Sequence, residues 1–251
     1  MSKTVAIANH KGGVGKTATA AALGAILASK GYKVLLVDLD AQANLTASLL
    51  RNEPKASIYG SLLGKEPMPV ERVKDNLCIA PSSLDLAAIE LEIASAMSRE
   101  YILKDLLEPV ASDYDFILLD CAPSLGLLTI NAFVAADEVL IPLSAEPLPY
   151  KGLGKILNFI ELTKRRLNPS LSINGIVITR WERSNITSKI EEGIRAQFAD
   201  KVYSSKIRKN IAIAEATLTG EDIVTYAPNS NGAEDYRTLA EEFVARCGAA
   251  Q

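Results

Sequence analysis

The stretch His10-Lys11-Gly12-Gly13-Val14-Gly15-Lys16-Thr17 decides how this 251-residue chain is read. It meets the phosphate-loop pattern G-x-x-x-x-G-K-[ST] only if Asn9 or His10 stands for the first glycine, and it carries a second lysine, Lys11, at its head. The glycines at 12, 13 and 15 let backbone N–H groups, that of Val14 included, close around an anion. Lys16 then reaches the outer phosphates of a polyphosphate, and the Thr17 hydroxyl can ligate Mg²⁺. The flanks are those such a loop needs. Thr4-Val5-Ala6-Ile7-Ala8-Asn9 reads as a buried strand, and Lys16 to Lys30 as a helix that stops at Gly31, a residue suited to the left-handed cap position. Strand, glycine loop and helix N-terminus make an anion site, with Ala18 in the first helical turn beside it.

Further along, strand and helix signals alternate almost to the end. Lys33 to Asp38 is an apolar run too short for a helix, which predicts a buried parallel strand, and Tyr114 to Asp120 repeats it. Glu138 to Leu143 and Ile173 to Thr179 are further strands, and Lys201 to Ile207 is a weaker one. Leu84 to Ala96, Gly154 to Leu167, Ile186 to Ala199 and Ala233 to Arg246 read as helices, and Asn52 to Pro81 as a surface excursion rich in Pro, Gly and Ser. Arg165 and Arg166 fall in a last helical turn, where they suit the helix dipole. The alternation predicts an α/β fold, and the glycine loop at 11–17 makes it one of the P-loop NTPase type. Its mostly parallel twisted sheet is flanked by helices on both faces and takes ligand at the strand C-terminal ends. One domain over residues 1–251 is expected.

Composition narrows the rest. A hydrophobic content of 48% with only 6% aromatic suits an interior of Ala, Leu, Ile and Val. No apolar run approaches the ~18 residues that would span a bilayer, and no signal peptide precedes the first strand. Cys78, Cys121 and Cys247 fit no zinc or redox spacing and read as small apolar fillers in a reducing cytoplasm. With a net charge of −3, nucleic-acid binding needs a local basic patch.

Two acids end strands on the rim that carries the glycine loop. Phe116-Ile117-Leu118-Leu119-Asp120 has the form of a Walker B strand, whose acid can hold Mg²⁺ through water. Asp40, just past the second strand, is placed to orient an attacking water and joins Thr17 and Asp120 as a candidate near the metal. Asp38 either supports Mg²⁺ from behind or caps the turn that follows.

The loop headed by Lys11 resembles that of the deviant Walker ATPases, which include the ParA and MinD proteins. Resemblance to the ParA type covers nearly the whole chain: Lys11 to Thr17, Val34 to Asn44, Tyr114 to Asn131, Ile207 to Ala216 and Pro228 to Ala240. It implies an ATPase using ATP and Mg²⁺, in which Lys11 reaches across a dimer interface to the second copy's nucleotide. Lys11, Lys16 and Asp40 would then be catalytic, and the segments around Asp40 and after Asp120 would respond to the γ-phosphate. The family's adenine-bordering Ile-Pro-Arg-Asn reads Ile207-Arg208-Lys209-Asn210 here, so Asn210 carries over while Arg208 replaces proline. Ala41 and Ala18 are further departures, for proline and threonine, and His10 stands where glutamine is common.

The same resemblance implies an ATP-bound homodimer on nonspecific double-stranded DNA, a ParB-like centromere-binding partner and a cytoplasmic, nucleoid-associated location. Lys201, Lys206, Arg208 and Lys209 form an acid-free basic stretch, extended by Arg195, that can contact phosphates without reading bases. Ala212 stands where the family often has another arginine. Only ten residues precede Lys11, so an N-terminal helix-turn-helix domain is not expected. A MinD-like membrane-cycling or other cargo-positioning ATPase is the alternative, but Glu241 and Glu242 make the C-terminal segment a poor lipid anchor. Cys121 alone cannot hold an iron–sulfur cluster, and an Asn-Lys-x-Asp guanine-reading motif is absent. A DNA-coating or polymer-forming protein with incidental turnover is the non-enzymatic reading.

Overall fold

Runs without a polar face in the sequence become the centre of the sheet. The computed structural model describes residues 2–146 and 149–248. Its strands are β1 (Lys3–Ile7), β2 (Val34–Leu39), β3 (Glu71–Lys74), β4 (Leu77–Ala80), β5 (Phe116–Cys121), β6 (Glu138–Ser144), β7 (Ser172–Trp181) and β8 (Val202–Arg208). They form one sheet in the order β3-β4-β2-β5-β1-β6-β7-β8, parallel throughout except for the antiparallel β3–β4 edge. The chain leaves β1 toward one edge and, after β5, continues from β6 toward the other. Ligand crevices form at such a reversal, outside the strand C-termini.

The helices are α1 (Lys16–Ser29), α2 (Asn44–Ala47), α3 (Ile58–Leu62), α4 (Ile89–Glu92), α5 (Ile102–Ala111), α6 (Leu127–Ala135), α7 (Pro149–Arg166), α8 (Asn185–Phe198), α9 (Ile211–Thr219), α10 (Ile223–Tyr226) and α11 (Asn231–Arg246). Alternate strand residues feed two cores. Ala6, Leu35, Val37, Ile117 and Leu119 pack with Leu103, Phe133 and Ile156 on one face. On the other, Val5, Ile7, Leu36 and Leu118 pack with Leu23, Leu27, Tyr236 and Phe243. α1 lies so close to the sheet that a Cβ on Gly24 would sit 2.9 Å from Leu36 Cδ2. α11 is fastened at its far end by Arg246, which donates to the carbonyls of Asn174 and Val202 and stacks on the Tyr203 ring.

Two expectations change, and helices appear that the sequence did not announce. Asn52 to Pro81 is more than a surface excursion: it supplies α3, β3 and β4, and Leu77 and Ile79 are fully buried. The charged run Glu71-Arg72-Val73-Lys74 hid β3 because it is an edge strand with one wet side. Leu84 to Ala96 is not one helix but a 3₁₀ turn (Leu84–Ala88) running into four-residue α4, with Leu84 and Leu91 exposed and no continuous apolar stripe. Unforeseen helices include α5, which carries Pro109 in its last turn, and α6, largely buried and so without an amphipathic period. The expected cap holds: Gly31 has φ +94° just past α1.

Candidate nucleotide site

The loop between β1 and α1 bends because two of its glycines take conformations that side chains resist. Gly13 has φ +72° and Gly15 φ +87°, and a Cβ on Gly12 would meet nothing within 4 Å, so its face stays open. Gly15 is the N-cap of α1 and offers no side-chain oxygen, and the first turn of α1 holds no acid. The uncapped N–H groups therefore point a positive dipole end into the loop. Lys16 is 7% exposed, with Nζ donating to the Lys11 carbonyl at 3.3 Å. Burial pushes its ammonium below the ordinary value, while the charges of Asp120 and Asp40 pull it back.

Lys11 behaves differently. Its side chain is 49% exposed and its Nζ donates to Glu146 Oε2 at 2.6 Å. Glu146, just past β6, also lies 3.5 Å from Arg180 Nη1. The Lys11 hydrogen bond holds the Glu146 carboxyl below its usual range against some desolvation. At the head of the loop His10 packs on α7, where a Cβ on Gly152 would lie 2.7 Å from His10 Cε1.

β2 and β5 bring Asp38 opposite Asp120 in register. Asp120 is 1% exposed, and neither carboxyl oxygen has a hydrogen-bond partner. Burial pushes it well above the usual carboxylate range, with Asp38 acting in the same direction. Asp38 accepts from Thr46 N at 2.9 Å, Thr46 Oγ1 at 2.8 Å and Asp40 N at 3.1 Å, and so caps the turn that follows β2. Burial still pushes it up to about 6. Asp40 is partly exposed, its Oδ1 accepting from Gln42 N at 3.0 Å and its carbonyl from Ser82 Oγ at 2.7 Å.

The glycine loop, Lys16 and Asp40 border a cleft of about 780 Å³, whereas Lys11, Asp38 and Asp120 do not line it. Gly12, Gly13, Gly15, Lys16, Thr17, Ala18 and Asp40 line one side, and Arg208, Asn210, Ile211, Ile213 and Leu218 the other. Val14, whose carbonyl accepts from Thr179 Oγ1 at 2.8 Å, is buried behind the loop. The polar half suits phosphates and the apolar half a base. Asp120, buried beside Lys16 with no hydrogen-bond partner on either oxygen, fits a cation. Among the described residues no cluster of three or more His, Cys, Asp or Glu could cage a metal. Mg²⁺ needs no such cage, because it keeps most of its waters.

Comparison with known proteins decides the family. The family described as "AAA domain" matches residues 2–173. The sporulation initiation inhibitor protein Soj of Bacillus subtilis is 41% identical over 252 residues, covering 98% of this chain and 99% of its own. The chromosome partitioning protein ParA of Caulobacter vibrioides is 38% identical, covering 97% of this chain and 94% of its own. The chain belongs to the ParA/Soj family of partition ATPases. In three dimensions it is similar to cobyrinic acid a,c-diamide synthase from Mycobacterium smegmatis, solved with ADP and magnesium. That match has TM-score 0.84 and 33% identity over 96% of this chain and 93% of the other.

This ParA-family chain departs from its sequence reading in the basic stretch. Acid-free in sequence, the stretch is interleaved with acids in space. Lys206 Nζ binds Glu191 at 2.8 Å and lies 3.8 Å from the centroid of Trp181, and Arg195 binds the same Glu191 at 3.0 Å. Lys209 binds Glu182 at 2.5 Å, and Arg208 is gripped by Asp235 at 2.6 Å and Glu234 at 2.9 Å. Lys201 is exposed. Asn210 caps α9 by accepting from Ala212 N at 2.9 Å. Sequence reasoning missed Thr46, Ser82, Glu146, Thr179 and Arg180, which hold the loop and the acids. Only Arg180 and Thr179 left a signal, as polar residues ending an apolar strand.

Proposed function

We propose that this ParA-family chain is an Mg²⁺-dependent ATPase. Its ATP-bound form pairs with a second copy and binds duplex DNA without sequence preference. It releases DNA when a ParB-like centromere-binding partner prompts hydrolysis to ADP and phosphate. The observation that carries this reading is the unequal treatment of two lysines in one loop. Lys16 is buried against the loop it serves, whereas Lys11 is half-exposed and held by a surface ion pair to Glu146.

In this reading the glycine loop and the α1 N-terminus bind the phosphate oxygens, which supply the acceptors that Lys16 Nζ lacks. Thr17, Asp120 and Asp40 would hold Mg²⁺, which neutralises phosphate charge when bound. Asp40 orders the attacking water and takes up its proton. Asn210 and Arg208 border the adenine, and Lys11 stabilises charge on the partner copy's phosphates. The whole chain acts as one nucleotide-binding domain of a cytoplasmic protein gathered on the nucleoid.

Light scattering with and without ATP, followed by DNA binding of the resulting species, tests the reading. ATP-dependent doubling of mass and DNA binding limited to that species are expected. A chain that hydrolyses ATP as a monomer would overturn it. The second reading, a cargo-positioning ATPase that does not act on DNA, draws on the internal pairing of Arg195, Lys206, Arg208 and Lys209. Its mark would be ATP-dependent pairing without affinity for any duplex. No helix among the described residues is long and apolar enough to cross a membrane.

A further inference from the structure

We propose that Glu146 is a positioning residue that parks Lys11 in the lone chain and passes to Arg180 when Lys11 leaves for a second copy. This rests on the pairing reading above.

The geometry sets one acid between two cations on separate oxygens. Lys11 Nζ meets Glu146 Oε2 at 2.6 Å, and Arg180 Nη1 lies 3.5 Å from Oε1. Acid and arginine come from the ends of adjacent strands, and Ala145 N donates to the Thr179 carbonyl at 3.1 Å, so their spacing is set by the sheet. Arg180 is held there at some cost. It has φ +52°, in the left-handed region that side chains avoid, next to an irregularity in the β7–β8 register. That backbone places Nη1 3.3 Å from the Gly13 carbonyl, over the glycine loop itself.

Electrostatics explains why an acid at this position needs two partners. A bare carboxylate at the lip of a polyphosphate site repels the ligand. While the chain is alone, Lys11 cancels that charge. Once Lys11 leaves, Glu146 would face the phosphates uncompensated unless a second cation took it, and Arg180 is within reach. The contact is also weak enough to open. Lys11, Glu146 and Arg180 side chains are 49, 40 and 50% exposed, and ion pairs in such surroundings are modest. Two copies related by a twofold axis open two such contacts together.

The test is sedimentation equilibrium with Mg²⁺ and the nonhydrolysable imido analogue of ATP, on wild type, Glu146→Gln, Arg180→Met and the double variant. Glu146→Gln releases Lys11 beforehand and should tighten pairing by about three-fold per contact, roughly ten-fold for the symmetric pair. Arg180→Met should weaken pairing several-fold, because Glu146 is then left unpaired. In the double variant the arginine effect should vanish, a non-additivity that two independent structural residues would not show. Nucleotide affinity of the lone chain, measured with Lys11 intact and below the pairing concentration so that Lys11 still covers Glu146, should not follow this pattern. Unchanged or weaker pairing in Glu146→Gln, or simple additivity, overturns the proposal. A wild type that fails to pair with the analogue overturns the pairing reading as well, and so the two failures are distinguishable.

Discussion

Asp38 and Asp120 face each other across β2 and β5, yet Thr46 satisfies one and nothing satisfies the other. Thr46 does so with a backbone N–H and a hydroxyl, and the same hydroxyl accepts from Ser82 N at 2.9 Å. Thr46→Val keeps the shape and removes the hydroxyl from both contacts, leaving a buried carboxyl and a buried amide short of partners. Stability should fall by about 2 kcal/mol, read from urea unfolding without nucleotide, and Thr46→Ser should restore most of it. Equal stability of the valine and serine variants would show that Asp38 needs no hydroxyl.

The two loop lysines should separate by experiment. Lys16→Ala is expected to abolish nucleotide binding, since the buried ammonium is the loop's own cation. Lys11→Ala should leave ATP binding measurable while removing ATP-dependent pairing and lowering turnover by about a hundred-fold or more. Calorimetry, light scattering and phosphate release check the three effects. Wild-type pairing and turnover in Lys11→Ala would remove the role given to that residue.

Asp40→Ala should bind ATP with Mg²⁺ and hydrolyse it extremely slowly, accumulating the paired form on DNA. Asp40 lines the cleft without belonging to the glycine loop, and one of its oxygens is already used by Gln42 N. Single-turnover hydrolysis measures this directly. Ordinary rates would leave Asp40 with the turn that Ser82 and Ala43 close around it.

His10 gives a pH dependence with a definite sign. Burial, then Lys155, Lys16 and Lys11, lower its pKa from 6.5. Below pH 6.5 the folded chain therefore binds fewer protons at this ring than the unfolded chain, and the stability tied to the neutral ring is lost as pH falls. His10 is the chain's only histidine, so one imidazole signal in an NMR titration reports it. The midpoint should lie below 6.5 without nucleotide and rise when ATP offsets the neighbouring lysines. A midpoint at or above 6.5 in the empty protein would refute the burial argument.

DNA binding should respond to the acids as well as to the bases. With ATP and roughly four phosphates neutralised, the log–log salt slope should be about −3.6 on any duplex. Lys206→Glu with Lys209→Glu should flatten the slope. Glu182→Gln with Glu191→Gln should steepen it by releasing Lys209, Lys206 and Arg195 from their partners. Filter binding over a salt series distinguishes the pairs. A slope indifferent to all four changes would move the DNA contact to another surface.

What could be read from residue order was whatever depends on neighbours in the chain. The glycine loop, the strands ending at Asp38 and Asp120, and the cap at Gly31 each declare themselves within a dozen residues. Features created by distant approach stayed hidden. Glu182, Glu191, Glu234 and Asp235 lie well outside Lys201 to Lys209 in sequence, and only the sheet brings them to it. Glu146 and Arg180 lie just past the expected strands Glu138 to Leu143 and Ile173 to Thr179 and drew no reading, because their meaning depends on β6 lying beside β7. β3 escaped notice because an edge strand needs no hydrophobic alternation on its wet side.

α11 has a further consequence for how this molecule can move. At one end Tyr236 touches Thr19 of α1 at 3.3 Å and Asp235 grips Arg208 on the cleft wall. About 24 Å of helix runs on from the N-terminal end. Toward its other end Glu242 takes the amides of Ser204 and Ser205, and Arg246 holds the starts of β7 and β8. The base side of the cleft is thus bolted to the far edge of the sheet by a single rod. A shift of Arg208 would therefore be felt at Ser204 and Arg246 as well, because α11 joins both ends of β8.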